Sequence, residues 1–387
     1  MNRSGASIST SKGGFALPAA VFALVIAAAL IVGSTFVARQ ELRIGTAIKQ
    51  GSEAFYLAER GMNELMANWP AGTLSSMAMW DTTTTSSTFT GGVVDTRVTR
   101  LGDRLYLLES SSTVTRGGSE LQGAARETGV VVRLFSVEIE PPAALTTRGT
   151  TQIKGTAEVH GEDVEPSQWP GLCSGTLTDK PGILTNDASA VSSSGSGEMT
   201  GNPPVQQDTT ISDATFTEFG ELDWDELTAL ANKTLSPGTI NNTAPVSVGS
   251  VCSTDVATNW GDPLDPTAPC GNYFPIIHVP GTVKIQSGGI GQGILLVDGD
   301  LDLRGNFVFY GIVIVQGNFE TQGSGNRVYG GVLAANADLD TQQITGGSVI
   351  TYSTCAAERA VLNNANLTRP RPLDNRSWVD LSMVKSH

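Results

Sequence analysis

The chain has 387 residues, enough for two folded units, with a charged fraction of 16%, 44 glycines and a formal net charge of −14. Nucleic-acid binding is excluded as a main role, because displacing counterions from phosphates needs clustered Lys and Arg. Few charged residues and many small polar ones favour short strands and turns over long soluble helices.

The first element is apolar. Residues 1–14 are polar and carry Arg3 and Lys12, whereas residues 15–38 (FALPAAVFALVIAAALIVGSTFVA) contain no charge. Such a run makes about 36 Å of helix, more than the roughly 30 Å of a bilayer core. The basic leader places the start on the cytoplasmic side and everything after Arg39 outside. A cleaved secretory signal would have a shorter apolar region and a small-residue cleavage site before polar sequence; here the run continues into a helical pattern. Residues 39–68 keep that pattern, with Leu42, Ile44, Ile48, Phe55, Ala58, Met62 and Leu65 as an apolar stripe, and Trp69-Pro70 ends it.

The segment KGGFAL, residues 12–17, resembles the processing signal of type IV prepilins, and AFYLAERG, residues 54–61, resembles the AFYLAEAG run of PilX-type minor pilins. The resemblance implies cleavage by prepilin peptidase between Gly14 and Phe15, and N-methylation of Phe15. It also implies that the apolar helix becomes the core of a filament. Most pilins carry Glu at the fifth mature position; here that position is Ala19, so the usual assembly contact is missing.

Beyond a Thr/Ser-rich stretch at 82–90 the period changes to two. Residues 93–101, 104–116 and 128–137 alternate as strands of an antiparallel meander packed on the helix, as in a pilin. Pro141-Pro142 marks a boundary. After it, GTVKI, GDLDL and GNFET begin at Gly281, Gly299 and Gly317, eighteen residues apart, and ADLDT follows at Ala337. Apolar runs begin between them at Ile276, Ile294, Ile312 and Val332. Two short strands per repeat predict a parallel β-helix, with Gly281, Gly299 and Gly317 at rung corners where positive φ is needed. An antiparallel jelly roll is the rival. Residues 150–162 read as an earlier strand pair of the same solenoid, and 220–235 as a short helix. Residues 293–331 resemble the carboxy-terminal domain of PilX-like pilus assembly proteins.

The expected architecture is α+β and mostly β. It comprises a leader (1–14), a transmembrane and filament-core helix with an amphipathic extension (15–69), a pilin-like meander (70–140) and a β-helix-like domain (141–387). That last domain is interrupted by a helical or loop insertion around 170–270.

The four cysteines lie on the oxidising side of the membrane segment. Cys252 and Cys270 flank a Pro-rich loop and are natural partners, leaving Cys173 for Cys355. Zinc would want CxxC spacing or nearby His, and free buried thiols are the plainest alternative. Asp298, Asp300, Asp302, Asp338 and Asp340 alternate along strands and read as a solvated face, without an EF-hand or GGxGxD pattern. His160, His278 and His387 are scattered and lack obvious partners, and no GxSxG, HExxH, P-loop or dinucleotide fingerprint occurs.

The expectation is therefore a structural subunit and not an enzyme, with no catalytic residue, cofactor or metal. By resemblance its partners are other minor and major pilins, the inner-membrane assembly platform, prepilin peptidase and a tip adhesin. Its location is the bacterial inner membrane with the outer domain in the periplasm, then the pilus surface. A pseudopilin of type II secretion is the near alternative. A membrane-tethered glycan-binding protein, with Trp169, Trp224 and Trp260 as sugar platforms, is the distant one.

Overall fold

The computed structural model describes residues 16–70, 73–74, 76–114, 124–134, 137, 139–173, 176–334, 341–373 and 378–381. Gly14, Phe15, Ala337, Asp338, Asp340 and His387 lie outside them.

Helix α1 runs from Ala16 to Ala67 without interruption. Its two halves differ in what they touch. Every side chain from 17 to 48 is exposed, whereas Gly51, Ala54, Leu57, Ala58, Gly61 and Met62 are buried against a sheet. The expected stripe is therefore corrected: Leu42, Ile44 and Ile48 are 71%, 60% and 65% exposed, and only its upper members meet the sheet. Small residues make that seam. Ser112 Oγ donates to the Ala54 carbonyl, and a Cβ on Gly61 would collide with Val94.

The sheet is an antiparallel meander of β1 (Thr82–Phe89), β2 (Gly92–Arg100), β3 (Leu105–Val114) and β4 (Ala124–Arg133). The Thr/Ser-rich stretch is thus a strand, paired with β2 from Thr82↔Thr99 to Phe89↔Gly92. Met62, Trp69, Leu74, Val98, Tyr106, Leu108, Val130 and Val132 form its core, with Trp69 edge-on to Tyr106 at 5.1 Å.

The chain returns to this sheet at its far end. Arg371–Pro372 and Trp378–Asp380 both pair antiparallel with β4, and Trp378 meets Phe55 at 5.5 Å. The division at 141–387 is therefore corrected: Arg371–Pro372 and Trp378–Asp380 belong to the first sheet, and the second unit is inserted between β4 and these strands. Strands of two and three residues carry little periodicity, which hid them.

The second unit is built on parallel pairing. Ile277 lies beside Leu295, Leu295 beside Val313, and Val313 beside Val332, following the repeat. The ladder then leaves chain order: Val332 pairs with Leu145, Leu145 with Ile183, and Ile183 with Val205. At its opposite end Lys233 pairs with Ile277. The segment beginning at Thr150 thus joins the ladder in its middle. The supposed insertion around 170–270 is corrected too, because it supplies strands at both ends: Ile183–Thr185, Val191–Gly195, Glu198–Thr200 and Val205–Gln207 at one, Lys233–Thr234 and Gly238–Thr243 at the other.

Burial on both faces explains the unbroken apolar runs. Ile277, Leu295, Val313 and Val332 point into one core. Ile276, Ile294 and Ile312 point the other way, beneath Phe216, Leu222, Leu227 and the helix Thr354–Leu362. The short helix expected at 220–235 is Trp224–Ala229, started by a capping box between Asp223 and Glu226.

Candidate functional site

Among the described residues, more than half of the exposed large apolar side chains lie on the free part of α1. Phe22, Leu30, Val32 and Phe36 are 67%, 68%, 67% and 61% exposed. The helix is long and apolar enough to cross a membrane by length and composition. Residues 17–48 project by about 48 Å, more than the roughly 30 Å of a hydrocarbon core. Arg39, Glu41, Arg43 and Lys49 lie between the charge-free run and the sheet, with Lys49 3.9 Å from Glu53. Ala19 stands on the exposed surface.

The cysteines are bonded in two pairs. Cys252 joins Cys270 with Cα atoms 4.9 Å apart, and Cys173 joins Cys355 at 5.5 Å. The first pair ties the loop that closes one end of the parallel ladder. There Lys233 Nζ donates to the carbonyls of Thr254 (2.6 Å) and Val256 (2.7 Å), and burial lowers its pKa against the opposing pull of Asp255. Asn259 Nδ2 donates to the Val246 and Ser253 carbonyls at 3.0 and 2.9 Å. Trp260 enters the core against Phe307 and Phe309.

The second pair anchors the helix Thr354–Leu362. The buried Asp163 carboxylate accepts from Thr354 N (2.9 Å), Thr354 Oγ1 (2.8 Å) and Thr178 N (3.0 Å), at the end where helix amides are unpaired. Glu165 lies close to both sulfurs, but their mutual bond leaves no thiolate for a metal.

The glycines are corrected in their physical role. Gly281 has φ +149°, but neither Gly299 nor Gly317 is left-handed. They need to be glycine because the neighbouring repeat is close: a Cβ on Gly299 would sit 2.6 Å from Thr282 N, and one on Gly317 2.8 Å from the Gly299 carbonyl carbon. The left-handed bends are Gly293, Gly311 and Gly330 in one column, and Gly305, Gly323 and Gly346 in another. The sequence carried a signal for them, a glycine at every sixth position from Gly293 to Gly323.

The other candidates are tied to local neighbours. Asp298 accepts from Trp224 Nε1 (3.1 Å) and lies 2.9 Å from His278 Nε2. Asp300 accepts from Asn318 N at 2.8 Å, bracing the next turn, and Asp302 pairs with Arg304 at 2.7 Å. His160 lies between Glu158 (3.0 Å) and Thr200 (2.8 Å), so both described histidines have partners, contrary to expectation. Trp169 and Trp260 are fully buried and offer no sugar platform.

No protein-family model matches the chain, and no curated protein does. Among solved structures the chain is similar to the competence-associated pilin ComZ from Thermus thermophilus. The identity is 12%, over 84% of this chain and 95% of that one, with a TM-score of 0.21. A likeness of that size carries no conclusion about this chain.

Proposed function

We propose that the protein is a PilX-like minor pilin, a structural subunit in the assembly or initiation of a type IV pilus or related filament. The observation that carries this reading is the division of α1. One half is exposed and free of charge as far as Ala38, and the other is clamped by an antiparallel meander. Exposing so many large apolar side chains to water is unfavourable by about 1.5–3 kcal/mol each, so lipid first and neighbouring helices afterwards must cover them. The subunit is held in the inner membrane by α1, with its outer part in the periplasm and later on the pilus surface. Its partners are other minor and major pilins, the assembly platform, prepilin peptidase and a tip adhesin. It has no catalytic role.

The parallel ladder, with its eighteen-residue register and its columns of left-handed glycines, supports reading the second unit as a β-solenoid. Ala19 supports a place in initiation. An uncharged residue in that turn has no carboxylate with which to neutralise a buried amino terminus, and a first subunit needs none.

The test is the mass of the amino-terminal peptide of protein purified from its native membrane. We expect a methylated amino terminus at Phe15. An intact Met1, or a cut after Ala38, would remove the pilin reading.

A further inference from the structure

The two ends of the parallel ladder are finished differently. At one, the disulfide-tied loop, Lys233 and Trp260 close the stack. At the other, Val191–Gly195 pairs with Thr150–Gly155, Glu198–Thr200 with Glu158–His160, and Val205–Gln207 with Ile183–Thr185. Among the described residues none of these three strands has a strand partner on its outer side. Each therefore presents a row of backbone N–H and C=O groups.

The core is also thin here. Met199 and Val205, which continue the columns of Val159 and Ile183, are half-buried, and Ser193, which continues that of Ile153, is exposed. Val191–Gly195 is VSSSG and carries neither the Lys nor the Pro that commonly guards an open edge.

Charge names the partner. Residues 181–232 contain no Lys or Arg. Asp187, Glu198 and Asp208 lie on or beside the last coil. The hydroxyls and amides of Ser189 and Thr210 hold the Asp187 and Asp208 carboxyls below their ordinary pKa. The cations near this end, Arg148, Lys154 and Lys180, belong to the preceding stretch; Arg148 is engaged with Asp213, and Lys180 with Glu140 at 3.1 Å. Two such acidic ends repel, which disfavours a second copy placed face to face.

We propose that this end is a strand-docking edge that accepts an extended, Lys- or Arg-bearing segment of another polypeptide. Backbone pairing supplies the affinity, and the carboxylates select a basic strand.

The full-length protein in nonionic detergent is the material for the test. The probes are two seven-residue peptides, one alternating Val with Lys and one alternating Val with Glu. Amide hydrogen exchange read by mass spectrometry should slow at least about tenfold over Val191–Gly195 and Val205–Gln207 with the Lys peptide. The Glu peptide should cause no change. The uncharged β1 strand is the internal control and should not respond to either.

A triple variant, Asp187→Asn, Glu198→Gln and Asp208→Asn, keeps the shape of these side chains and removes their charge. It should melt like the parent and bind the Lys peptide at least about tenfold more weakly. Equal protection by both peptides overturns the proposal. So does undiminished binding by the triple variant, and so does protection without peptide that grows with protein concentration, since the occupant is then a second copy.

Discussion

Replacing Gly311 with Ala should unfold the second unit at markedly lower temperature, at a cost of about 2–6 kcal/mol. Two effects add. The φ of +136° is one that an L side chain rarely adopts, worth about 1–3 kcal/mol of strain. A Cβ there would also meet the Gly293 carbonyl oxygen and approach Ala360 Cβ to 3.1 Å, an overpacking of about 1–3 kcal/mol in a ladder that has no room to open. Gly330 sits against Gly311 in the same way. Gly305→Ala is the contrasting variant. Its φ is +70° and nothing lies within 4 Å of the new carbon, so only the backbone strain of about 1–2 kcal/mol remains. Thermal melts followed by the fluorescence of the buried Trp169 and Trp260 measure both. Equal losses in the two variants would sink the stacked-column explanation.

Removing the Cys173–Cys355 bond should cost more than removing Cys252–Cys270. The first joins residues 182 apart and the second residues 18 apart. If a crosslink acts chiefly on the unfolded chain, the losses are about 5 and about 3 kcal/mol respectively. Paired Cys→Ala variants compared by chemical denaturation decide the order. A larger loss at the short loop would mean that Lys233 and Asn259, which are seated in that cap, depend on its bond.

What could be read from the residues was whatever repeats. The apolar runs beginning at Ile276, Ile294 and Ile312 predict their own neighbours, because parallel stacking puts like beside like. The charge-free run of α1 was as plain, since a helix apolar on every side needs an apolar environment on every side. Contacts between distant segments were not legible. Leu145 beside Val332, and Pro372 beside Val132, depend on where the chain turns back. The corner glycines were misplaced for a simpler reason: the glycine at every sixth position fits three phases of an eighteen-residue repeat, and composition does not say which phase is left-handed. Likewise, Leu42 and Ile48 look like sheet-facing positions until the seam proves to be built from Gly51, Ala54, Ala58 and Gly61.

The return of the chain to β4 determines how the molecule carries tension. A pull applied to the second unit while α1 is held enters the first sheet at two points, Arg133 and Arg371, which are register partners on neighbouring antiparallel strands. Both strands are drawn at the same end and in the same direction, so the load does not slide one along the other. It passes instead as shear into the ten-residue pairing of β4 with β3 and into the helix seam. Within the second unit, the crosslink between Cys173 and Cys355 short-circuits the route between entry and exit. The strands between these two cysteines lie beside the line of force and can hold their shape while the chain is under tension.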